Sequence, residues 1–435
     1  MAAQHVIIGS GITGLSAAEA IRQRDPAARI ILVSEESHDF YSRPGLAYFL
    51  RKDVPEKQLY LRSAADLKTL RLDRVNAQVD RILLNSHELL LTNGKRLRYD
   101  RLLVATGALA VPPTFPGGDL DGVVKLDGLD DTRSVIAHAK RAKDAVVVGG
   151  GITALELAEG LHARGVKVHY FLRGERYWSD VLDEFESGIV MKRLIHEGID
   201  LRTKTQVKEA KGRKGKLTTV ETQSGESVPA QILAVAIGVR PRIDLAIASG
   251  LPVNKGILVN EYLMTSVPDV FAAGDCAEVR DAAGRSSQDV LWPIALAQGR
   301  LAGANMAGAS MPYRKGVPFN VTMLAGLKVA IIGAVGGGKP NEDLVAITRG
   351  ESEAWRILSR SWIVSDRDEI NHVRMVLGER TILGALVMGE QTWTRPLQKI
   401  IVGGIDVSPI RQTLMKGGKE ALEKLGEFYQ STLRG

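Results

Sequence analysis

The sequence predicts an α/β protein with two Rossmann-like domains and a smaller C-terminal α+β domain. Three observations lead to this fold class. A β-like apolar run, a glycine-rich turn and a helix-like stretch follow one another at the N-terminus, and the same order recurs 140 residues later, from Gly9 to Gly149. Short β-like runs followed by helix-like segments fill the last 117 residues. A chain of 435 residues is long enough for two or three domains with separate cores.

The first motif consists of the apolar run 6–8 and the pattern G-x-G-x-x-G at Gly9, Gly11 and Gly14. In such a motif the first glycine makes a tight turn, the second admits a pyrophosphate, and the third lets helix and strand pack closely. Glu35 lies 21 residues after Gly14, where a carboxylate can accept hydrogen bonds from a ribose. The motif predicts a dinucleotide site, and the alternative is a glycine-rich turn in an unrelated α/β domain.

The second motif has an apolar run at 146–148, glycines from Gly149 to Gly151, and Ala154 where the third glycine would fall. A helix is expected over 155–163 and a second strand over 166–172. The distance between the two motifs is too long for a short tandem repeat. We therefore predict two separate domains that hold two dinucleotides at once.

Three further apolar runs, one between the two motifs and two after the second, each end in a glycine motif. They are "YDRLLVATGA" with Ala105, Thr106 and Gly107, "AQILAVAIGVRPR" with Gly238, and "VPDVFAAGDCAEV" with Gly274 and Asp275. With all five motifs in order, residues 4–335 resemble the two-dinucleotide flavoprotein reductases, the pyridine nucleotide-disulfide oxidoreductase superfamily. The resemblance implies that the first motif holds FAD and the second holds NADH or NADPH, and that a hydride passes between the two cofactors.

The resemblance also implies a domain layout. The FAD-binding domain would comprise residues 1–112 and 243–318, with an inserted NAD(P)-binding domain at 113–242 and a C-terminal domain at 319–435. In this last domain we expect strands at Lys328–Ile332, Leu344–Ile347, Val373–Leu377 and Ile382–Met388, and helices near Pro396–Ile401 and Lys419–Leu433. After Gly274-Asp275 the chain is expected to enter a helix that is directed at the pyrophosphate.

Site residues follow from matching this sequence to the family motifs. The cofactor-binding residues implied are Gly9, Gly11, Thr13, Gly14, Glu35, Arg43, Pro44, Val79, Ala105, Thr106, Gly107, Gly149, Gly151, Thr153, Arg173, Gly238, Gly274, Asp275, Trp292 and Ile294. Glu156 would contact the nicotinamide, and the alternative is a surface glutamate favoured by the helix dipole. No metal site is predicted.

Thiol chemistry at the flavin is not expected. Cys276 is the single cysteine, so neither the C-x4-C pair of the disulfide reductases nor a C-x-x-C pair can exist. The coenzyme A disulfide, persulfide and NADH oxidase relatives carry a cysteine where this chain has Pro44. Cys276 is expected to pack as a small apolar residue in the helix after Asp275.

The stretch "FYSRPGLAYFL" is similar to a Tyr-x-Arg-Pro-x-Leu segment of the ferredoxin and rubredoxin reductases and of nitrite reductase flavoprotein modules. Tyr41, Arg43 and Leu46 match it, and Arg43 would lie against FAD. Tyr48 stands where those relatives often have a lysine that pairs with a glutamate near the flavin. Tyr48 is therefore a catalytic candidate that shields the flavin face, or else it only packs.

Because the chain holds no second redox group, the electron acceptor must be external. The resemblance implies a small electron-carrier protein, such as ferredoxin or rubredoxin, or a partner oxidoreductase subunit. Such carriers are commonly acidic, which fits the net charge of +7. The alternatives are oxygen or a quinone as the acceptor, and a low-turnover flavoprotein that regulates assembly, like apoptosis-inducing factor.

The coenzyme and the surroundings of the protein are predicted less directly. The second strand ends in Leu172-Arg173 with Arg176 nearby, which favours NADPH, although Glu175 could still bind the ribose of NADH.

The apolar side of helix 419–433 is expected to pack on its own domain or on a second subunit, rather than on a membrane. The basic run Lys208–Lys216 is expected to be a solvated hairpin loop rather than a nucleic-acid patch. No apolar stretch reaches the length of about 18 residues that a membrane-spanning helix needs, and no secretory signal is visible, so we expect a cytoplasmic protein.

Overall fold

A computed structural model describes residues 3–281, 284–336, 347, 349–356, 361–367 and 370–433. The chain divides into two compact units. The first comprises Met1–Val111, Asp127–Arg133 and Val239–Lys315, and the second comprises Pro112–Leu126, Ser134–Gly238 and Gly316–Gly435. No helix within the described residues is both long enough and apolar enough to cross a membrane.

The strands are numbered in chain order. They are β1 (Gln4–Ile8), β2 (Arg29–Ser34), β3 (Leu72–Asn76), β4 (Val79–Leu83), β5 (Glu88–Leu91), β6 (Arg96–Arg98), β7 (Arg101–Val104), β8 (Ala108–Ala110), β9 (Val123–Val124), β10 (Asp144–Val148), β11 (Lys167–Phe171), β12 (Asp200–Arg202), β13 (Val207–Arg213), β14 (Lys216–Thr222), β15 (Ser227–Pro229), β16 (Ile232–Val235), β17 (Val239–Pro241), β18 (Ile257–Leu258), β19 (Val270–Ala272), β20 (Ala277–Glu278), β21 (Phe319–Leu324), β22 (Leu327–Gly333), β23 (Trp362–Arg367), β24 (His372–Leu377) and β25 (Ile382–Met388).

The helices are numbered in the same way. They are α1 (Ile12–Arg24), α2 (Gly45–Arg51), α3 (Ala64–Thr69), α4 (Leu129–Ala139), α5 (Ile152–His162), α6 (Glu184–His196), α7 (Asp244–Ala248), α8 (Trp292–Met306), α9 (Thr394–Val402), α10 (Arg411–Lys416) and α11 (Gly418–Leu433).

The first unit is built on a parallel sheet with the strand order β19-β7-β1-β2-β3. Its central strands are runs of Val, Ile and Leu that are buried on both faces, as parallel strands require. Ile8, at the end of β1, is paired with Val33 of β2 and with Val104 of β7. The carboxyl ends of these three strands therefore lie side by side, which is the edge where α/β sheets bind ligands.

Helices α1 and α8 pack very closely against each other because α8 carries glycines at the contact. A Cβ atom added to Gly299 would lie 2.3 Å from the Thr13 carbonyl oxygen, and one added to Gly303 would lie 2.3 Å from that of Ala17. The fold of this unit thus depends on the absence of side chains at both positions.

The second unit contains a parallel sheet with the order β12-β11-β10-β16-β9 and an antiparallel sheet with the order β21-β22-β25-β24-β23. The antiparallel sheet packs against α9, α10 and α11 around a core that includes Val387, Leu397 and Leu425. A further antiparallel sheet, β13-β14-β15, completes the described part of this unit.

Most expected elements of the C-terminal segment are present, with ends shifted by one or two residues. The expected strand at 344–347 lies almost entirely outside the described residues, whereas strands β21 and β23 were not expected. The prediction of a helix after Gly274-Asp275 is wrong. Gly274–Cys276 forms a single 3-10 turn that leads directly into β20. The basic run 208–216 is not a loop either, because most of it forms β13 and only the turn at 214–215 connects it to β14.

Candidate functional site

The first glycine turn is fixed by the protein at two of its three glycines. Gly9 adopts a φ of +112°, and a Cβ there would lie 2.2 Å from the carbonyl oxygen of Ala105. A Cβ on Gly14 would lie 2.0 Å from the carbonyl oxygen of Gly9. These two glycines are therefore needed for the strand–turn–helix packing itself.

Gly11 differs from both of them. It has φ −72° and ψ −173°, which any residue can adopt, and an added Cβ would meet no described atom within 4 Å beyond its immediate neighbours. Neither the backbone nor the packing of the described residues requires glycine here, so the backbone at Gly11 is open to the close approach of a ligand. The first turn of α1 holds no acidic side chain and no side-chain cap, which leaves its N–H groups suited to phosphates.

The second glycine turn repeats part of this arrangement. Gly149 has a φ of +143°, and a Cβ there would lie 2.1 Å from the carbonyl oxygen of Ala236. A Cβ on Gly150 would again meet no described atom within 4 Å beyond its neighbours, and Gly151 precedes the first turn of α5. Ala154 is fully buried in the place of the third glycine. The amide of Trp178 donates to the Gly150 carbonyl at 3.0 Å and holds the turn.

Two consecutive acids follow β2, and each is bound by an arginine. Glu35 forms an ion pair with Arg242. Glu36 accepts a hydrogen bond from Arg43 at 2.6 Å and another from the Tyr41 hydroxyl at 3.1 Å. Burial raises the pKa of Tyr41 to about 12, so its hydroxyl stays a donor at physiological pH. Sequence reasoning named Glu35, Arg43 and Tyr41 but missed Glu36 and Arg242.

Arg43 is held from two sides. One guanidinium nitrogen donates to Glu36, and the other donates to the carbonyl oxygen of Asp127 at 2.6 Å. The Asp127 carboxylate in turn accepts the amide of Ala110 at 2.9 Å. Arg43 therefore fixes the crossing of the chain near Asp127, and its guanidinium has little freedom to move. The two adjacent acids after β2 are visible in the sequence and could have indicated a partner for Arg43. No local pattern indicated that Arg43 also binds the carbonyl oxygen of Asp127.

The Ala105-Thr106-Gly107 segment follows β7 at the same edge of the sheet. The Thr106 hydroxyl donates to the carbonyl oxygen of Arg242 at 2.8 Å, and Gly107, with a φ of +72°, accepts the Arg242 amide at 2.9 Å. This hydroxyl therefore binds the returning chain. Gly238, which also has a positive φ, of 116°, is the last residue of the second unit before β17 begins in the first.

The Gly274-Asp275 turn packs directly behind the first glycine turn. Gly274 has a φ of +77° and donates its amide to Gln298 at 2.8 Å. A Cβ there would lie 2.3 Å from the Thr13 hydroxyl, and this buried hydroxyl donates to the Ala295 carbonyl at 3.2 Å. Thr13 therefore holds the turn and α8 in place, while Asp275 is half-buried beside it.

The remaining predicted FAD-site residues lie on several elements of the first unit. Trp292 and Ile294 form the first turn of α8, where the Trp292 ring packs 6.0 Å from that of Phe40. Val79 begins β4 and is half-buried. Tyr48 lies on α2 with 40% exposure, and the Arg51 guanidinium lies 5.6 Å from its ring centroid. Tyr48 is therefore available at the surface rather than packed in the core.

The single thiol is placed where it cannot react. Cys276 is fully buried, and its Sγ lies 3.4 Å from the carbonyl oxygens of Val104 and Ala273. Burial raises the pKa of this thiol, which disfavours the reactive thiolate. Pro44 precedes α2, where it offers no nucleophile.

The predicted coenzyme residues of the second unit lie along α5 and after β11. Thr153 and Glu156 are half-buried on the first two turns of α5. Arg173 is exposed, and its guanidinium has no hydrogen-bond or ion-pair partner among the residues that the structure describes. Glu175 forms a 2.6 Å ion pair with Lys204, which lowers the pKa of this carboxylate. The acid that could bind a ribose at this position is thus already paired.

A buried ionic cluster lies elsewhere in the second unit. Arg374 donates from two nitrogens to the two oxygens of Glu186, at 2.8 and 3.0 Å, and from one of them also to the Val181 carbonyl at 2.7 Å. Asp183 and His372 lie close enough to Glu186 to suggest a metal site. Because the Arg374 cation occupies both Glu186 oxygens, we interpret the cluster as structural.

These features define a class of protein with two dinucleotide sites, each at the carboxyl edge of a parallel sheet. Comparison with known proteins agrees. Residues 3–299 match the family model described as pyridine nucleotide-disulphide oxidoreductase, and the chain belongs to this family. The prediction of an FAD-dependent oxidoreductase that uses NAD(P)H is confirmed at this level.

Individual relatives give the closer similarities. The chain is 28% identical to the rubredoxin-NAD(+) reductase of Pseudomonas putida, with 81% of this chain and 92% of that one covered. It is 31% identical to the biphenyl dioxygenase system ferredoxin–NAD(+) reductase component of Paraburkholderia xenovorans, with 80% and 84% covered. The NAD(P)H nitrite reductase of Bacillus subtilis is 26% identical over 93% of this chain, but the chain spans only 48% of its length.

A solved structure supports the predicted fold class. The ferredoxin reductase from Rhodopseudomonas palustris superposes with a TM-score of 0.82 at 24% identity, with 93% of this chain and 96% of that one covered. The expected architecture of two Rossmann-like domains and a C-terminal α+β domain is confirmed.

Proposed function

We propose that the protein is an NAD(P)H-dependent reductase of a small external electron carrier, ferredoxin-like or rubredoxin-like, or of a partner oxidoreductase subunit. One observation carries the proposal. Pro44 stands at the position that thiol-dependent relatives give to cysteine, and Cys276 is fully buried, so the chain has no thiol to which a flavin could pass electrons. Electrons that enter from the nicotinamide must therefore leave to another molecule. The names of the rubredoxin and ferredoxin reductase relatives support this acceptor class.

The domain roles are part of the proposal. Residues 1–112 and 243–318 would bind FAD, residues 113–242 would bind the coenzyme, and residues 319–435 would form the C-terminal domain. The two compact units support the first of these divisions, because residues on both sides of the insertion share one sheet. Strand β19 pairs with β7 across 165 intervening residues, so the FAD domain is assembled from two separate segments.

The residues present fit FAD at the first site, and FAD when bound accepts a hydride and passes electrons on. Gly11 and the N-terminal turn of α1 admit and orient the phosphates. The Glu35 carboxylate can accept the ribose hydroxyls. Arg43, fixed by Glu36, holds its positive charge where the flavin half would lie, and the N-terminus of α8 stabilises negative charge there.

At the second site the residues present fit a nicotinamide dinucleotide. Gly151, the second glycine of this motif, leaves the backbone open to the pyrophosphate, and the first turn of α5 offers N–H groups to the phosphates. Glu156 lies on the next turn, where it would position the nicotinamide. Because binding energy is used here for orientation, the chain contributes mainly proximity to hydride transfer.

We propose NADPH as the preferred coenzyme. Arg173 is exposed and has no partner among the described residues, so its guanidinium is available to a ribose 2′-phosphate. Glu175, the nearest acid, is paired with Lys204 instead of being directed at a ribose. A dual use of NADH and NADPH is the alternative outcome of the coenzyme test below.

The C-terminal helix favours a carrier over a membrane-bound quinone as the acceptor. Leu422, Leu425 and Tyr429 of α11 are buried in the core of the C-terminal sheet, and Phe428 packs against them. This apolar side is therefore occupied by its own domain. A net charge of +7 supports an acidic carrier, whose approach would be steered electrostatically.

Steady-state turnover with a panel of acceptors tests the proposal. Purified protein with NADPH or NADH is supplied anaerobically with an acidic ferredoxin, a rubredoxin or a soluble quinone, and separately with oxygen. We expect the carriers to give the largest kcat/KM, and we expect it to fall as ionic strength rises. The control is a positively charged carrier of similar size, such as a basic cytochrome. Its kcat/KM should not fall as ionic strength rises. Efficient turnover with oxygen or quinone alone would contradict the proposal.

A further inference from the structure

Arg242 directly follows β17, the strand with which the chain re-enters the first unit. Its amide donates to the Gly107 carbonyl at 2.9 Å, and its carbonyl accepts the Thr106 hydroxyl at 2.8 Å. Both partners directly follow β7. The main chain of Arg242 is therefore fixed just beyond the carboxyl end of that strand.

The side chain of Arg242 is bound by a residue that follows β2, two strands away from β7 in the sheet. Its Nη1 forms an ion pair with Oε1 of Glu35, which directly follows β2. The strand order is β7-β1-β2, and neighbouring strands lie about 4.8 Å apart, so the Arg242 and Glu35 side chains together span a gap of roughly 10 Å. The Arg242 side chain therefore passes in front of the carboxyl end of β1, where the turn from Gly9 to Gly11 begins.

We propose that Arg242 binds the phosphates of FAD across the mouth of the first glycine turn. Gly11 provides the space at the backbone, and α1 provides N–H groups without a basic side chain in its first turn. A guanidinium that crosses this position supplies the missing positive charge and a planar set of donors. Arg242 is thus a cofactor-binding residue that no motif of the sequence indicated.

The hydrogen-bonding capacity of the pair fits this role. The Nε of Arg242 is buried and has no partner in the part of the chain that the structure describes. A buried donor left unpaired is destabilising, so a ligand oxygen that accepted from this nitrogen would be bound more tightly. Glu35 uses Oε1 for Arg242, and none of the described residues binds its Oε2. Glu35 can therefore hold Arg242 and accept a ribose hydroxyl at the same time.

A purely structural role is the competing explanation, in which the Arg242–Glu35 pair only fastens the returning chain. The two roles differ in what they do to phosphate recognition. A phosphate-binding arginine discriminates ADP from adenosine, because only ADP carries the pyrophosphate. A fastening arginine affects both ligands equally. The inference rests on the FAD site of the proposed function, so wild-type protein that holds no FAD would overturn both.

The experiment compares Arg242→Gln with Arg240→Gln. Arg240 lies two residues earlier on the same crossing, and its ion pair with Asp244 lies 3.3 Å apart on the surface, so this control removes the same charge nearby. Holoprotein is diluted, and released FAD is followed by its fluorescence, first alone and then with ADP or adenosine as competitor. The Arg242→Lys variant, which keeps the charge, covers the case in which Arg242→Gln fails to fold.

We expect Arg242→Gln to weaken FAD binding about 10- to 100-fold and to reduce the advantage of ADP over adenosine by a similar factor. Arg242→Lys should restore part of this advantage, and Arg240→Gln should leave both values within about twofold. If the ADP-to-adenosine ratio of Arg242→Gln equals that of the wild type, the proposal is overturned and the pair is structural. If Arg242→Gln does not fold, the ratio of Arg242→Lys decides, and a wild-type ratio there overturns the proposal, because an ammonium lacks the planar set of donors.

Discussion

The second glycine of each motif allows the two dinucleotide sites to be disabled one at a time. Gly11 and Gly151 both have backbone angles that any residue can adopt, and a Cβ on Gly11 would meet no described atom within 4 Å beyond its neighbours. In Gly11→Leu and Gly151→Leu the new side chain would occupy the space through which a pyrophosphate approaches the backbone. We expect Gly11→Leu to purify without flavin, and Gly151→Leu to purify yellow but to resist reduction by NAD(P)H.

The size of the effect follows from the contacts that are lost. If two hydrogen bonds from backbone amides to a charged phosphate are blocked, at about 1.5–3 kcal/mol each, the loss is about 3–6 kcal/mol. This corresponds to an affinity for FAD that is lower by roughly 10²- to 10⁴-fold. Gly14→Ala is the contrasting variant, because its Cβ would lie 2.0 Å from the Gly9 carbonyl and should destabilise the apoprotein as well.

The assay combines the flavin absorbance of the purified variants with thermal unfolding of apoprotein and reconstituted protein. Apo Gly11→Leu should unfold at about the same temperature as wild-type apoprotein, and added FAD should not stabilise it. Wild-type protein at a hundredfold excess of FAD over its Kd should gain about 2.7 kcal/mol. A yellow Gly11→Leu protein with normal FAD affinity would refute the reasoning, and so would a Gly151→Leu protein that is reduced by NADPH at the wild-type rate.

Three further predictions concern the thiol, the coenzyme and the buried ionic cluster. Cys276→Ser should keep flavin reduction, followed by stopped-flow, within a few-fold, and a loss beyond about a hundredfold with FAD still bound would show that the thiol is catalytic. Arg173→Ala should weaken NADPH by about 1.5–3 kcal/mol and leave NADH nearly unchanged in the same assay, whereas equal losses for both coenzymes would argue against a phosphate contact. Arg374→Met should lower the free energy of unfolding by about 3–5 kcal/mol in urea, because it removes the buried cation that is paired with both oxygens of Glu186. Burial opposes ionisation of Glu186, but Arg374 lowers its pKa below the ordinary 4.5. The stabilisation by the ion pair should therefore be present at neutral pH and should be lost as the pH drops below that value. A variant with the stability and pH dependence of the wild type would count against the pairing.

The fold could be predicted from local patterns because each glycine motif implies its neighbours. A G-x-G-x-x-G turn needs a strand before it and a helix after it, and α1 and α5 begin one residue after Gly11 and Gly151. Strand β23 gave no such signal. It is an edge strand in which Trp362 and Ile363 are both partly exposed, so it lacks the alternation of a half-buried strand.

The site was only partly predictable because its ion pairs join distant parts of the chain. Arg242 and Glu35 are separated by 207 residues, and nothing local indicates that they meet. Glu36 is adjacent to the predicted Glu35, but the sequence did not indicate that it binds Arg43. The structure shows that Arg43 donates both to Glu36 and to the carbonyl oxygen of Asp127. Gly274 and Asp275 were identified by pattern, whereas the short turn that they form depends on packing against Thr13.

Reoxidation of the reduced protein tests the central claim most directly, namely that electrons leave to an external carrier without help from a thiol. The Cys276→Ser protein is reduced with one equivalent of NADPH, freed of coenzyme under anaerobic conditions, and mixed in a stopped-flow instrument with an oxidised acidic ferredoxin or rubredoxin. The account predicts rapid return of the flavin absorbance, as in the wild type, and a rate that falls with added salt. A flavin that stays reduced with every carrier, yet is reoxidised rapidly by oxygen or a quinone, would contradict it.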